Sequence, residues 1–168
     1  HSMLVLGDDY LHLDQITGEE IHGILGADAF RGVVLKINYE RKIITLQRAS
    51  TFKSPGDDYE QISIDVHRNK VYLKANLQIQ QDTPFNVKLL LDTGASPSLL
   101  MNTNTHPDLH MPENTLKGNI GAGLGGFLEG YLGRVNHLQI GAWRLNEVLT
   151  NFQELPPEAD TSLLHGRH

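Results

Sequence analysis

The sequence predicts a mainly β protein with one or two short helices. Three observations predict it. Segment after segment alternates apolar and polar residues, as in "YLKANLQIQ" at 72–80, the period-2 signature of a half-buried strand. Helical spacing is rare and brief. Polar stretches holding Pro and Gly separate the alternating segments, as turns and linkers do.

Taken in order, "DYLHLDQI" (9–16) carries one candidate helical turn, and "GADAFRG" (26–32) one or two. "GVVLKINYERKIITLQ" (32–47) reads as two strands joined by a tight turn at Asn38–Arg41. "ASTFKSPGDDYE" (49–60) is a linker by composition. "YEQISID" (59–65) and "YLKANLQIQ" (72–80) alternate, and "FNVKLLLD" (85–92) passes from alternation into a continuous apolar run, as a strand does on entering a core. "THPDLHMPEN" (105–114) is a loop because two prolines break any regular element. "GRVNHLQIG" (133–141) and "WRLNEVLTNF" (143–152) alternate again, and "LPPEAD" (155–160) is a loop. Residues 22–47 and 59–152 are expected to join in one mainly antiparallel unit.

The bulk composition excludes several classes. With 168 residues, 39% hydrophobic and 20% charged, the chain is globular and long enough for a core. A formal charge of −6 without a large basic patch argues against a nucleic-acid partner. The absence of cysteine excludes disulfides, thiolate metal sites and a cysteine nucleophile. No apolar run approaches the roughly 20 residues of a membrane helix. The opening His-Ser-Met reads as a cloning remnant, so nothing follows about a leader.

One stretch resists a purely structural account. In "LLLDTGASPSLL" (89–100), three leucines run into an Asp-Thr-Gly turn and the chain then returns to apolar residues. Asp and Gly favour turns for local reasons, but Leu89, Leu90 and Leu91 bury the approach, unlike a surface turn. A carboxylate beside apolar surface is costly unless paired, hydrogen-bonded or protonated. Asp92 is therefore the candidate catalytic residue.

A second motif lies upstream in "HGILGADAFRGVVLKINYERKIITL" (22–46), where Ile24 and Leu25 precede Gly26, a short helix and two strands. Together the two motifs resemble the halves of a retroviral-type, or retropepsin-like, aspartic peptidase, with the nearest likeness to bacterial members that carry tandem domains. The resemblance implies a retropepsin-like closed β-barrel, the acid protease fold, with Asp92, Thr93 and Gly94 as the catalytic turn. Thr93 would brace the turn, the Gly94 amide would bond the carboxylate, and Ser96 would bond its outer oxygen. Ala95, Ser96, Ile24, Leu25 and Gly26 are the supporting residues it implies. It also implies a peptide or protein substrate, a homodimer with possible exchange of elements, no cofactor, no metal, and a periplasmic or secreted location.

The order departs from that family, where Asp-Thr-Gly comes before the apolar-apolar-Gly segment. Residues 1–48 therefore read as the C-terminal half of such a fold, 49–58 as a linker and 59–168 as the N-terminal half. Either the sequence crosses a tandem protein between domains, or the half-domains stand in permuted order. The competing function is an inactive, truncated peptidase fold that binds peptide or dimerises.

Seven of the 16 glycines cluster in "GNIGAGLGGFLEGYLG" (118–133). No Lys-Ser/Thr follows, so a phosphate loop is a poor reading. By resemblance the cluster is the flap over bound peptide, with Gly121, Gly123, Gly125 and Gly126 at its centre; a plain flexible loop is the alternative. The nine histidines read as surface or satisfied side chains, since Pro107 prevents His106 and His110 from stacking on a helix. Asp57-Asp58 and Glu19-Glu20 read as solvated charges.

Overall fold

The computed structural model describes residues 5, 13–123, 126–155 and 166–167. They form a mainly β protein with one short α-helix, α1 (Leu13–Thr17), and three brief 3-10 turns at Ala27–Phe30, Ala49–Thr51 and Thr103–Thr105. No helix among the described residues is long and apolar enough to cross a membrane.

β1 (Val33–Asn38) and β2 (Ile43–Arg48) make an antiparallel hairpin, with Leu35 opposite Leu46 and Ile37 opposite Ile44. Its turn falls where the sequence places it. Asn38 Oδ1 accepts from Arg41 N at 2.8 Å and fixes the bend, a side-chain device typical of Asn at turns. The hairpin is a two-stranded sheet of its own and pairs with no described strand of residues 59–152, so the expected single antiparallel sheet unit is two sheets. The intervening residues 49–63 pair with no strand. The hairpin thus keeps Ile43, Ile44 and Leu46 51%, 65% and 58% exposed.

The second sheet holds β3 (Ile64–His67), β4 (Lys70–Gln78), β5 (Phe85–Leu90), β6 (Leu100–Asn102), β7 (Leu116–Gly123), β8 (Gly126–Ile140), β9 (Trp143–Gln153) and β10 (Gly166–Arg167). Its order is β3-β4-β5-β10-β6-β9-β8-β7, and β4 pairs in addition with β8. The pairings from β4 through β5, β10, β6, β9 and β8 therefore return to β4. Most are antiparallel; β5–β10 and β6–β9 are parallel. Strands inside the circuit are paired on both sides, and β3 and β7 remain at its margins with one partner each.

The interior collects side chains from β4, β5, β6, β8 and β9 and from the ends of the adjoining loops. Leu77, Ile79, Leu89, Leu99, Met101, Val135, Leu138 and Phe152 are each at most 1% exposed. The loop before β7 covers part of this core, burying Leu109 and Pro112. Of the expected strand at 59–65, only the part from Ile64 pairs. Glu60 instead turns its carboxylate onto the amide of Ala142, at 2.8 and 3.0 Å, and ties the linker to the β8–β9 turn.

Candidate active site

The Asp-Thr-Gly turn hangs between two buried anchors. On one side β5 carries Leu89 (0% exposed) and Leu90 (9%) into the core, and Leu91 N still bonds Val71 O at 2.9 Å. On the other side Leu99 (0%) re-enters, its carbonyl accepting from Asn151 N at 2.8 Å. The intervening loop crosses the end of β10, which separates β5 from β6: Gly166 faces Leu89 on one side and Met101 on the other.

Within the loop the backbone folds around one carboxylate. Gly94 N donates to Asp92 Oδ1 at 3.0 Å, and Ala95 N donates to Asp92 O at 3.3 Å. This is an Asx turn, in which the side chain imitates a backbone turn. It holds one carboxylate oxygen in place. Asp92 and Ala95 are half-buried, and Thr93, Gly94 and Ser96 are exposed. Asp92, Thr93, Ala95 and Ser96 line one hollow of ≈ 290 Å³ together with Leu91, Pro97, Ser98 and Tyr39. Carboxylate, hydroxyls and apolar walls thus meet in one small space.

The other expected site residues lie elsewhere. Ile24 and Leu25 are 61% and 71% exposed, and Gly26 leads into the 3-10 turn at Ala27–Phe30. None of the three lines the hollow. The glycine cluster is a β-hairpin: β7 and β8 pair from Leu116↔Leu132 to Gly123↔Gly126, with a bulge between Asn119 and Gly121. Gly125 lies outside the described residues. Asn151 Nδ2 bonds the carbonyl of Ile120, so the neighbouring strand braces this hairpin. Among the described residues, none of the hairpin lines the Asp92 hollow. A larger cavity of ≈ 540 Å³ sits at the hairpin's base, between Ile79, Pro112, Leu132 and Arg134, away from Asp92.

Two of the described histidines have local structural settings. His106 stacks on Phe85 with ring centroids 5.0 Å apart, and the Arg144 guanidinium lies 3.0 Å from the His137 ring nitrogens. Tyr39 is the residue missed from the sequence. Its only signal is a large ring in the turn "NYER" (38–41), where the turn itself requires none.

A circuit of β-strands thus offers an Asx-turn carboxylate beside a small hollow. The family model described as aspartyl protease matches residues 75–164, more than half of the chain and the part that holds the Asp-Thr-Gly turn and the glycine hairpin. The chain belongs to the retropepsin-like aspartyl proteases. Comparison with curated proteins and with solved structures finds no match.

Proposed function

We propose that the chain is an aspartic endopeptidase whose reacting carboxylates are Asp92 and the Asp92 of a second copy. The observation that carries this is the Asx turn: it presents a half-buried carboxylate, one oxygen held by Gly94 N at 3.0 Å, in a hollow lined by hydroxyls. The sequence has one Asp-Thr-Gly, so a two-carboxylate site takes two chains or a second domain.

Two carboxyl groups roughly 3 Å apart cannot both ionise and share one proton. The ionised member takes a proton from water, whose oxygen attacks the peptide carbonyl carbon. The protonated member hydrogen-bonds the carbonyl oxygen as charge develops there. The tetrahedral species then breaks its C–N bond as the amine leaves with a proton. Thr93 and Gly94 keep the turn rigid, and Ser96 lines the hollow beside the carboxylate. The hairpin around Gly121, Gly123, Gly125 and Gly126 acts as the flap over the peptide, with Gly-rich backbone that bends at low cost. In the same reading residues 1–48 are the back half of a peptidase domain, 49–58 a linker and 59–168 the front half of another.

The test is peptide cleavage by the wild type and by Asp92→Asn across pH. Asparagine keeps the shape but cannot accept the proton, and general-base help is typically worth about 10²–10⁴-fold. Cleavage is expected to favour acidic to mildly acidic pH, because the pair works with one proton between two carboxyls and loses it as pH rises. Undiminished cleavage by Asp92→Asn would refute the assignment. Peptide binding without cleavage by the wild type favours the binding-module reading.

A further inference from the structure

Resting on the peptidase reading, we infer that Tyr39 is a specificity-determining residue: its ring walls the Asp92 hollow and selects the substrate side chain that lies beside the scissile bond. Tyr39 belongs to the β1–β2 hairpin, outside the residues that match the family model. Yet it lines the same hollow as Asp92, Thr93 and Ser96.

The β4–β5 register and one hydrogen bond place the hairpin there. β4 starts where β5 ends, with Tyr72 opposite Leu90 and Leu91 N on Val71 O. The β3–β4 turn and the Asp92 loop therefore occupy one end of the circuit. At that turn Asn69, at φ 61°, accepts from the Arg31 guanidinium at 2.6 Å. Arg31 precedes β1 and Tyr39 follows it, so the strand runs across this end from the Asn69 turn to the Asp92 hollow. The Asn38–Arg41 hydrogen bond fixes the turn that carries the ring.

The chemistry follows from the walls. Leu91, Ala95, Pro97 and Tyr39 are apolar or aromatic, and Leu91 and Tyr39 remain 40% and 72% exposed. A hollow of ≈ 290 Å³ lies below the span of drug-sized ligand sites and suits one or two side chains. A tyrosine ring offers a large, stiff surface with little entropy to lose on contact. The class selected is a large apolar side chain such as Leu or Phe.

The experiment uses the 168-residue chain and two matched peptide series with Leu, Phe or Ala at the position next to the scissile bond. One series is cleavable; the other has a hydroxyethylene in place of the scissile amide and reads binding alone. The preference ratio, Leu or Phe over Ala, is expected to fall about tenfold in Tyr39→Ala, the lower end for a lost apolar contact in a pocket. Tyr39→Phe keeps the ratio, because the ring and not the hydroxyl forms the wall. Asn69→Gly, which suits φ 61° but removes the Arg31 acceptor, lowers the ratio by a smaller factor. An unchanged ratio in Tyr39→Ala overturns the inference, as does a wild type without preference or without binding. Asp92→Asn separates the two levels. If it cleaves like the wild type, the peptidase reading fails; if it is inactive while Tyr39→Ala keeps the wild-type ratio, only the role of Tyr39 fails.

Discussion

The backbone amide of Gly94 points at the Asp92 carboxylate, 3.0 Å from Oδ1. The interaction uses the main chain, so it tolerates a side chain at 94 if there is room. A Cβ there would meet Asp92 Oδ1 at 3.5 Å, an ordinary contact. Gly94→Ala is therefore expected to fold with a stability change within about 1 kcal/mol. Gly94→Pro deletes the donor, and a hydrogen bond to a charged acceptor is worth about 1.5–3 kcal/mol. Urea denaturation of the two variants checks the difference; equal loss in both would mean that the bond contributes nothing.

Two glycines of the 116–133 hairpin should behave in opposite ways. A Cβ on Gly130 would lie 2.5 Å from Phe152 O and 2.6 Å from Ile120 Cδ1, whereas one on Gly118 meets nothing within 4 Å. Gly130→Ala must push β9 or Ile120 aside, an overpacking cost of about 1–3 kcal/mol. Gly118→Ala is expected to stay within about 0.5 kcal/mol of the wild type. Thermal unfolding of both proteins tests the contrast.

These glycines also mark what the sequence could and could not disclose. The alternation in β4, β5, β8 and β9 is local, so those strands were legible, as was the Asn38–Arg41 turn. The Asp-Thr-Gly turn was legible because buried leucines flank it. The partners were not. Nothing local in Gly166–Arg167 tells that it lies between β5 and β6, or that β6 and β9 run parallel. The β1–β2 hairpin has the same pattern as strands inside the circuit, and pattern alone does not say which sheet a strand joins. Residues 59–63 alternate like a strand, but the Glu60 carboxylate finds a backbone amide across the fold instead. Tyr39 was invisible because a turn residue has no periodicity to read.

Glu60 supplies the third prediction. Its carboxylate takes both bonds from Ala142 N, the residue after Gly141 at φ 58°. Glu60→Ala leaves that amide to water at an exposed site, so the expected loss is about 1 kcal/mol, the net worth of one hydrogen bond. For a chain of this size that lowers the melting temperature by about 2–4 °C. An unchanged melting temperature would show that the linker is not anchored through this contact.

The last prediction concerns the second carboxylate. One Asp-Thr-Gly in the sequence means that the second carboxylate comes from another copy or from a second domain, and the proposal takes it from another copy. Specific activity should then rise with protein concentration until the dimer is saturated. Association of identical chains through one shared axis is the common route to such a site. Mixing gives the sharper test, because an Asp92→Asn chain folds and pairs but contributes no base. At equal amounts and random pairing, wild-type dimers make up about a quarter of the total, and each mixed dimer lacks one carboxylate. Activity is therefore expected to drop to about a quarter of that of the same total of wild-type chains. A drop to only about half would mean that each chain acts alone or that the copies do not exchange, and analytical ultracentrifugation of the mixture decides between those two. A monomer that cleaves at full specific activity would show that Asp92 works without a partner carboxylate from a second copy.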